Sequence, residues 1–202
     1  DMKIGYFVKA EKCDSTYCFP NRIEEVLILQ EAVRQNPSDA KSFYYLGNFW
    51  YASRRYENAV SCWEQSATID PEFPTVWRNL SLAYYNKCNN REKAVAALEK
   101  AFALDNTDAR ILMELDQLYK KLGRSYAERL IFLEKHVALV ESRDDLALER
   151  ITLYNQLGRY SEAKALLAAR KFHPWEGGEG KVTGQYVLCH VARSFPRSKS
   201  CR

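Results

Sequence analysis

The chain repeats itself. The segment from Ala40, AKSFYYLGNFWYASRRYENAVSCWEQSATIDP, is echoed thirty-four residues later from Pro74 by PTVWRNLSLAYYNKCNNREKAVAALEKAFALD, with one extra residue at its turn. Phe43, Leu46, Gly47, Trp50, Tyr56, Ala59, Trp63 and Pro71 find partners in Trp77, Leu80, Ser81, Tyr84, Arg91 or Glu92, Ala94, Leu98 and Asn106. A period of this length constrains folding strongly, because each unit must be one supersecondary element stacked on its copies. Phe43, Leu46 and Trp50 recur at helical spacing, as do Val60 and Trp63 further on. The first unit therefore reads as helix, tight turn, helix and proline stop, with Gly47 and Ala59 small where two antiparallel helices approach. One helix pair cannot bury both of its apolar faces, so the pattern predicts an all-α chain of stacked pairs.

The shared offsets, a large residue, Leu-Gly, Tyr, Ala, an aromatic, Ala and Pro, resemble the tetratricopeptide repeat. That resemblance implies an α-solenoid, a right-handed superhelix of helix-turn-helix repeats. The echo extends both ways. NRIEEVLILQEAVRQNP follows Pro20 with an apolar face of Ile23, Val26, Leu27, Leu29, Ala32 and Val33, ends at Pro37, and reads as a second helix without its first. Asp39 is placed to cap the next helix. The third repeat starts near Ala109 and keeps Leu112, Leu115 and Tyr119. It carries Asp116 and His136 where the family prefers small residues, and its turn reads as shorter, so its helix pair is expected to splay. The fourth starts near Asp144; Tyr154, Gly158, Tyr160 and Ala163 match, while Arg150 and Arg170 replace residues normally buried. After the break KFHPWEGGEGKVTGQY, the apolar YVLCHVA reads as the first helix of an uncompleted fifth pair. The expected organisation is a linker or strap over 1–19, the repeat array over 20–192, and a basic, disordered tail over 193–202.

The net charge of +4 does not make this a nucleic-acid binder. Arg193, Arg197, Lys199 and Arg202 lie in the acid-free last ten residues, and without them the body is neutral. No run of eighteen apolar residues suggests a membrane span. No leader pattern is visible, and a chain that opens on Asp1 is expected to be a fragment or a processed product. Of six cysteines, only Cys13 and Cys18 are close, with no second pair to complete a zinc set. Cys62 and Cys88 read as helical. Reduced, structural cysteines favour a cytoplasmic setting.

The least ordinary local sequence is His173-Pro174-Trp175-Glu176-Gly177-Gly178-Glu179-Gly180-Lys181. It is not a phosphate-binding loop, which would need Gly at 175 and Ser or Thr at 182, where the chain has Trp175 and Val182. His173, Glu176 and Glu179 have the chemistry of metal ligands or an acid–base pair. The plainer reading is a shaped connection with Trp175 packed on the adjoining repeat. His136 lies on an apolar helix face, and His190 lacks a carboxylate at helical spacing. No catalytic set, metal site or cofactor is expected.

The repeat resemblance implies that an inner face is lined by the first helix of each pair. Carried over, its positions are Lys41, Tyr44, Asn48 and Tyr51, then Thr75, Arg78, Leu82, Tyr85 and Asn86, then Arg110, Met113, Gln117, Lys120 and Lys121. This face offers rings, amides and cations without an acid, which suits a peptide with acidic side chains or a terminal carboxylate. Asn48 and Arg110 fit the scheme of repeats that clamp a chaperone's terminal carboxylate; Tyr44, Leu82 and Glu114 depart from it.

The runs CFPNRIEE, FPTVWRNLSLAYYNK, LMELDQLYKKLG, RDDLALERITLYNQLG and FHPWEGGEGKVTGQY, across roughly residues 17–192, resemble a family of large bacterial tetratricopeptide proteins. Its members carry a long β-rich, mutarotase-like N-terminal domain of unassigned function. The resemblance implies that this chain is a middle piece of such a protein. The expectation is a non-catalytic scaffold that binds a partner protein, or its own β-rich domain, through the concave face. The alternative is an accessory module of a carbohydrate-active protein, in which the HPWEGGEG loop contributes to a saccharide site. Half pairs at both ends also suit a homodimer.

Overall fold

The computed structural model describes residues 19–173 and 179–191, with the backbone alone at Glu179, His190 and Val191. The expected strap, the Cys13–Cys18 pair, Trp175, Glu176 and the tail with Cys201 fall outside the described residues. Within them the chain is all-α, with eleven helices and no strand. They are α1 (Ile23–Gln35), α2 (Ala40–Ala52), α3 (Tyr56–Ile69), α4 (Pro74–Asn86), α5 (Arg91–Leu104), α6 (Ala109–Lys121), α7 (Tyr126–Glu134), α8 (Val137–Glu141), α9 (Asp144–Gln156), α10 (Tyr160–Ala169) and α11 (Glu179–Val191). The first helices of the pairs thus begin at 40, 74, 109, 144 and 179, a period that never departs from 34 or 35 residues. The last start corrects the reading of GEGKVTGQY as loop. Helix α11 includes Gly180 and Gly184 because packing against α9 and α10 outweighs the poor helix propensity of glycine.

The chain divides between Asn106 and Thr107 into two compact units. In the first, the close approach of α2 and α3 depends on Gly47, where an added Cβ would stand 2.3 Å from the Trp63 ring. That ring is buried, and its N–H is shared between the Tyr44 carbonyl and Asn48 Oδ1, each at 3.2 Å. Ser66 donates to the Ala40 carbonyl at 2.7 Å, so the far ends of the two helices are tied as well. In the next pair the equivalent small contact is Ser81, whose hydroxyl donates to the Ala94 carbonyl at 2.7 Å. Asp39 caps α2 as expected, accepting from the Ser42 amide at 3.0 Å. Only Val26 of the expected α1 face is buried; Ile23, Leu27 and Ile28 are well exposed. Cys88 is also corrected: it lies beyond the end of α4, in the turn, and is exposed.

Each turn within a pair reverses the chain through one left-handed residue: Arg54, Asn89, Gly123 and Gly158, with φ of 60°, 50°, 77° and 75°. The amide of the following residue returns to a carbonyl of the preceding helix: Arg55 to Trp50, Asn90 to Tyr84, Arg124 to Tyr119, Arg159 to Tyr154. The third turn spans 122–125 and is no shorter than the others, contrary to expectation.

In the second unit the third pair departs from the pattern where Asp116 stands in the place of Gly47 and Ser81. The backbones of α6 and α7 approach less closely than those of α2–α3 or α4–α5. The second helix of this pair also breaks. Helix α7 ends at Glu134, and His136, at the place of Ser66 and Ala101, opens the short α8 with its ring on Phe132. A bulky ring cannot occupy a position that otherwise lies against the facing helix. In the fourth pair Arg150 takes the place held by Leu46, Leu80 and Leu115, and reaches Glu141 at 3.2 Å and the Tyr154 hydroxyl at 3.3 Å.

Two substitutions check this account. Gly47→Ala is expected to lower stability by about 1–3 kcal/mol through overpacking on Trp63. Arg54→Gly is expected to raise it by about 1 kcal/mol by relieving the left-handed backbone. Thermal unfolding followed by circular dichroism reads both.

Candidate functional site

Helices α6, α9 and α11 are the first helices of three successive pairs, and together they line a cleft of about 290 Å³. Met113, Gln117 and Lys120 come from α6, at the i, i+4, i+7 spacing that places them on one stripe. Asp145, Leu148, Glu149 and Thr152 come from α9, and Lys181 and Gln185 from α11. The register holds α11 here through Asn155, whose amide donates to Gln185 Oε1 at 2.9 Å, while Cys189 donates to Asn155 Oδ1 at 3.0 Å.

The cleft is underlain by a charge network. Arg129 of α7, 1% exposed, stands where Ala59, Ala94 and Ala163 stand in the other pairs. Its guanidinium forks onto Asp116, Nε to Oδ1 at 3.0 Å and Nη2 to Oδ2 at 2.6 Å. The same Nη2 donates to Glu149 Oε1 at 2.6 Å, and Lys120 Nζ reaches that oxygen at 2.9 Å. The first two pairs keep small residues at both places and the fourth sets Ile151 beside Ala163; here a buried ion pair fills both and extends to the cleft. Burial pushes the Asp116 carboxyl above its ordinary range, against the pull of Arg129. For Glu149, burial pushes the same way, but the hydrogen bonds of Arg129 and Lys120 outweigh it and hold the carboxyl below its ordinary range. Asp145 is held low despite its burial, because Arg143 forks onto it at 3.0 and 2.6 Å.

The residues expected on the inner face separate. Met113, Gln117 and Lys120 come together in the cleft, and Arg110, on the same helix, is exposed but not among its lining. In the first unit Lys41, Tyr51, Arg78 and Tyr85 are partly exposed. Tyr44 is corrected: it is 1% exposed and packs on Phe73, with ring centroids 4.9 Å apart, so truncating it would act through the core. Asn48 is also buried, accepting from Trp63 and from Asn79 at 3.1 Å. The expected acid-free lining does not extend to α9, which brings Asp145 and Glu149. Arg129 went unnoticed in the sequence; its signal was a cation at a position occupied by alanine in the neighbouring repeats.

Of the loop candidates, His173 is brought to Asp144, which accepts its amide at 2.8 Å and contacts its ring Nδ1 at 3.0 Å. Arg170 forks onto the same carboxylate and onto Glu141. The backbone of Glu179 opens α11, and Trp175 and Glu176 lie outside the described residues. Among the described residues no three His, Cys, Asp or Glu side chains gather as metal ligands would. No described helix is long and apolar enough to cross a membrane.

Residues 75–108 match the family model for the tetratricopeptide repeat. A curated relative, tetratricopeptide repeat protein 37 of Xenopus laevis, is 29% identical over 100 residues, which is 47% of this chain and 6% of that protein. The chain therefore spans a small fraction of that relative's length. Among solved structures, MamA superposes with a TM-score of 0.59 at 14% identity, covering 84% of this chain and 90% of MamA. YrrB, described as a tetratricopeptide protein with an unusual peptide-binding site, gives 0.61 at 18% identity, covering 82% of each chain.

The buried pair can be tested by single and paired substitution. Asp116→Ala alone leaves a buried cation short of its main partner and is expected to cost about 3–5 kcal/mol. Replacing both, Asp116→Leu with Arg129→Met, is expected to recover most of that loss, read by denaturant unfolding.

Proposed function

Because the chain is a tetratricopeptide-repeat protein, we propose that it works as a non-catalytic scaffold that holds a partner protein or peptide along the first helices of its repeats. One observation carries this reading: α6, α9 and α11 together line a cleft that mixes aliphatic surface, from Met113 and Leu148, with amides and a hydroxyl, from Gln117, Gln185 and Thr152. Such a lining contacts a backbone and side chains of an extended segment at once. A peptide-binding site in YrrB, which shares the fold, supports the same use here. The acids of the cleft are tied in ion pairs, an arrangement that fixes charge rather than moving protons. The partner is a separate protein or a β-rich domain of a longer chain that contains this one. Free thiols at Cys62, Cys88 and Cys189 suit a reducing compartment such as the cytoplasm.

The test is capture on the immobilised chain beside Met113→Ala/Gln117→Ala, both first shown equally helical by circular dichroism. A partner held by the parent and lost by the variant supports the cleft as the docking site. Equal capture by both places the interaction elsewhere.

A further inference from the structure

We propose that the cleft receives the cationic end of a lysine or arginine side chain from the bound segment, on the Glu149 carboxylate. This rests on the reading that a partner segment occupies the cleft, and it assigns the chemistry recognised there.

Charge balance points to it first. Asp116 and Glu149 both lean on the single guanidinium of Arg129, so the three groups under the cleft sum to one negative charge. Lys120 completes the balance, but its side chain is 47% exposed, against 12% for Glu149. An amine on a long, half-exposed stem is a replaceable counter-ion, whereas the buried Arg129 is not.

Hydrogen-bonding capacity points the same way. Both donors to Glu149 reach Oε1, and no donor among the described residues reaches Oε2. An ionised carboxylate accepts at both oxygens, so one oxygen of this cleft-lining group takes no donor from the described residues. One turn along α9, the Thr152 hydroxyl donates its proton to the Leu148 carbonyl at 2.8 Å, which leaves its oxygen as an acceptor. Asp145 is no competitor, because both of its oxygens are engaged by Arg143 and one also by the Leu146 amide. Met113 and Leu148 supply apolar walls for the methylene stem of a long cationic side chain. Lys181 is exposed, and its charge is screened by solvent. A carboxylate ligand meeting Lys120 would also face the Glu149 and Asp145 carboxylates that line the cleft.

Met113 is one of only two methionines, so its methyl is a resolved probe in the full chain. With methyl-labelled methionine, the chain is titrated with acetyl-Gly-Gly-Arg-Gly-Gly-amide and with the same peptide carrying Glu or Gln in place of Arg. The arginine peptide is expected to shift the Met113 signal saturably and the other two to leave it in place. Glu149→Gln should weaken the arginine peptide about tenfold, the loss of one charge-assisted contact. Lys120→Leu, which leaves Arg129 on Glu149, should tighten it about threefold by removing the competing amine. The assignment is overturned if the glutamate peptide binds better, if Glu149→Gln changes nothing, if Lys120→Leu weakens binding, or if no peptide shifts Met113. In the last case the scaffold reading still stands or falls on its own capture experiment.

Discussion

A guanidinium can be sealed inside a protein only if its charge and its N–H groups are met, and the second unit is arranged around meeting that of Arg129. Asp116 must be buried opposite it, and Asp116 occupies the place where the first two pairs keep a small residue for close approach. The α6 and α7 backbones stand apart in consequence. One carboxylate does not satisfy the group, so Glu149 enters from the next repeat, and Glu149 in turn holds Lys120. Core and cleft therefore share members, and the electrostatics of the cleft are set from beneath.

The first unit solves the same packing problem without charge. Gly47 lets the indole of Trp63 lie against α2, and Ser81 meets Ala94 through one hydrogen bond to a carbonyl. Such contacts are short-range and need nothing from a neighbouring repeat. A further contact recurs in both units: Tyr84 donates to Glu64 and Tyr154 to Glu134, each joining the first helix of one pair to the second helix of the pair before it. The units differ in how a pair closes, and are alike in how one pair is joined to the next.

The fold was legible because periodicity survives local substitution. Four helix starts on one register, at 40, 74, 109 and 144, followed from spacing alone, and the glycine-rich approach to α11 obscured the fifth. The site was less legible. Asp116 could be marked as out of place, but its partner Arg129 lies across a turn, and matching them requires the turn lengths to be known to the residue. Tyr44 shows the converse limit: its offset in the repeat places it on the inner helix, while its burial comes from Phe73, which no offset within one repeat reveals. His136 could be flagged as too large, yet its consequence, a broken helix rather than a shifted one, is decided by packing.

Repeat proteins are often regarded as chains of interchangeable modules, which duplication can lengthen and recombination can shuffle. The ion pair withdraws the third module from that exchange. Another repeat inserted in its place would bring no cation to this position, and would leave Glu149 of the following module with an empty socket where Arg129 had been. Conversely, a copy of the third module placed ahead of the second, which has Asn79 at the place of Glu149, would carry a buried cation into a neighbourhood without the second acid. The arrangement gives this stretch of the array a fixed address, so its order along the chain is recorded in charge as well as in shape.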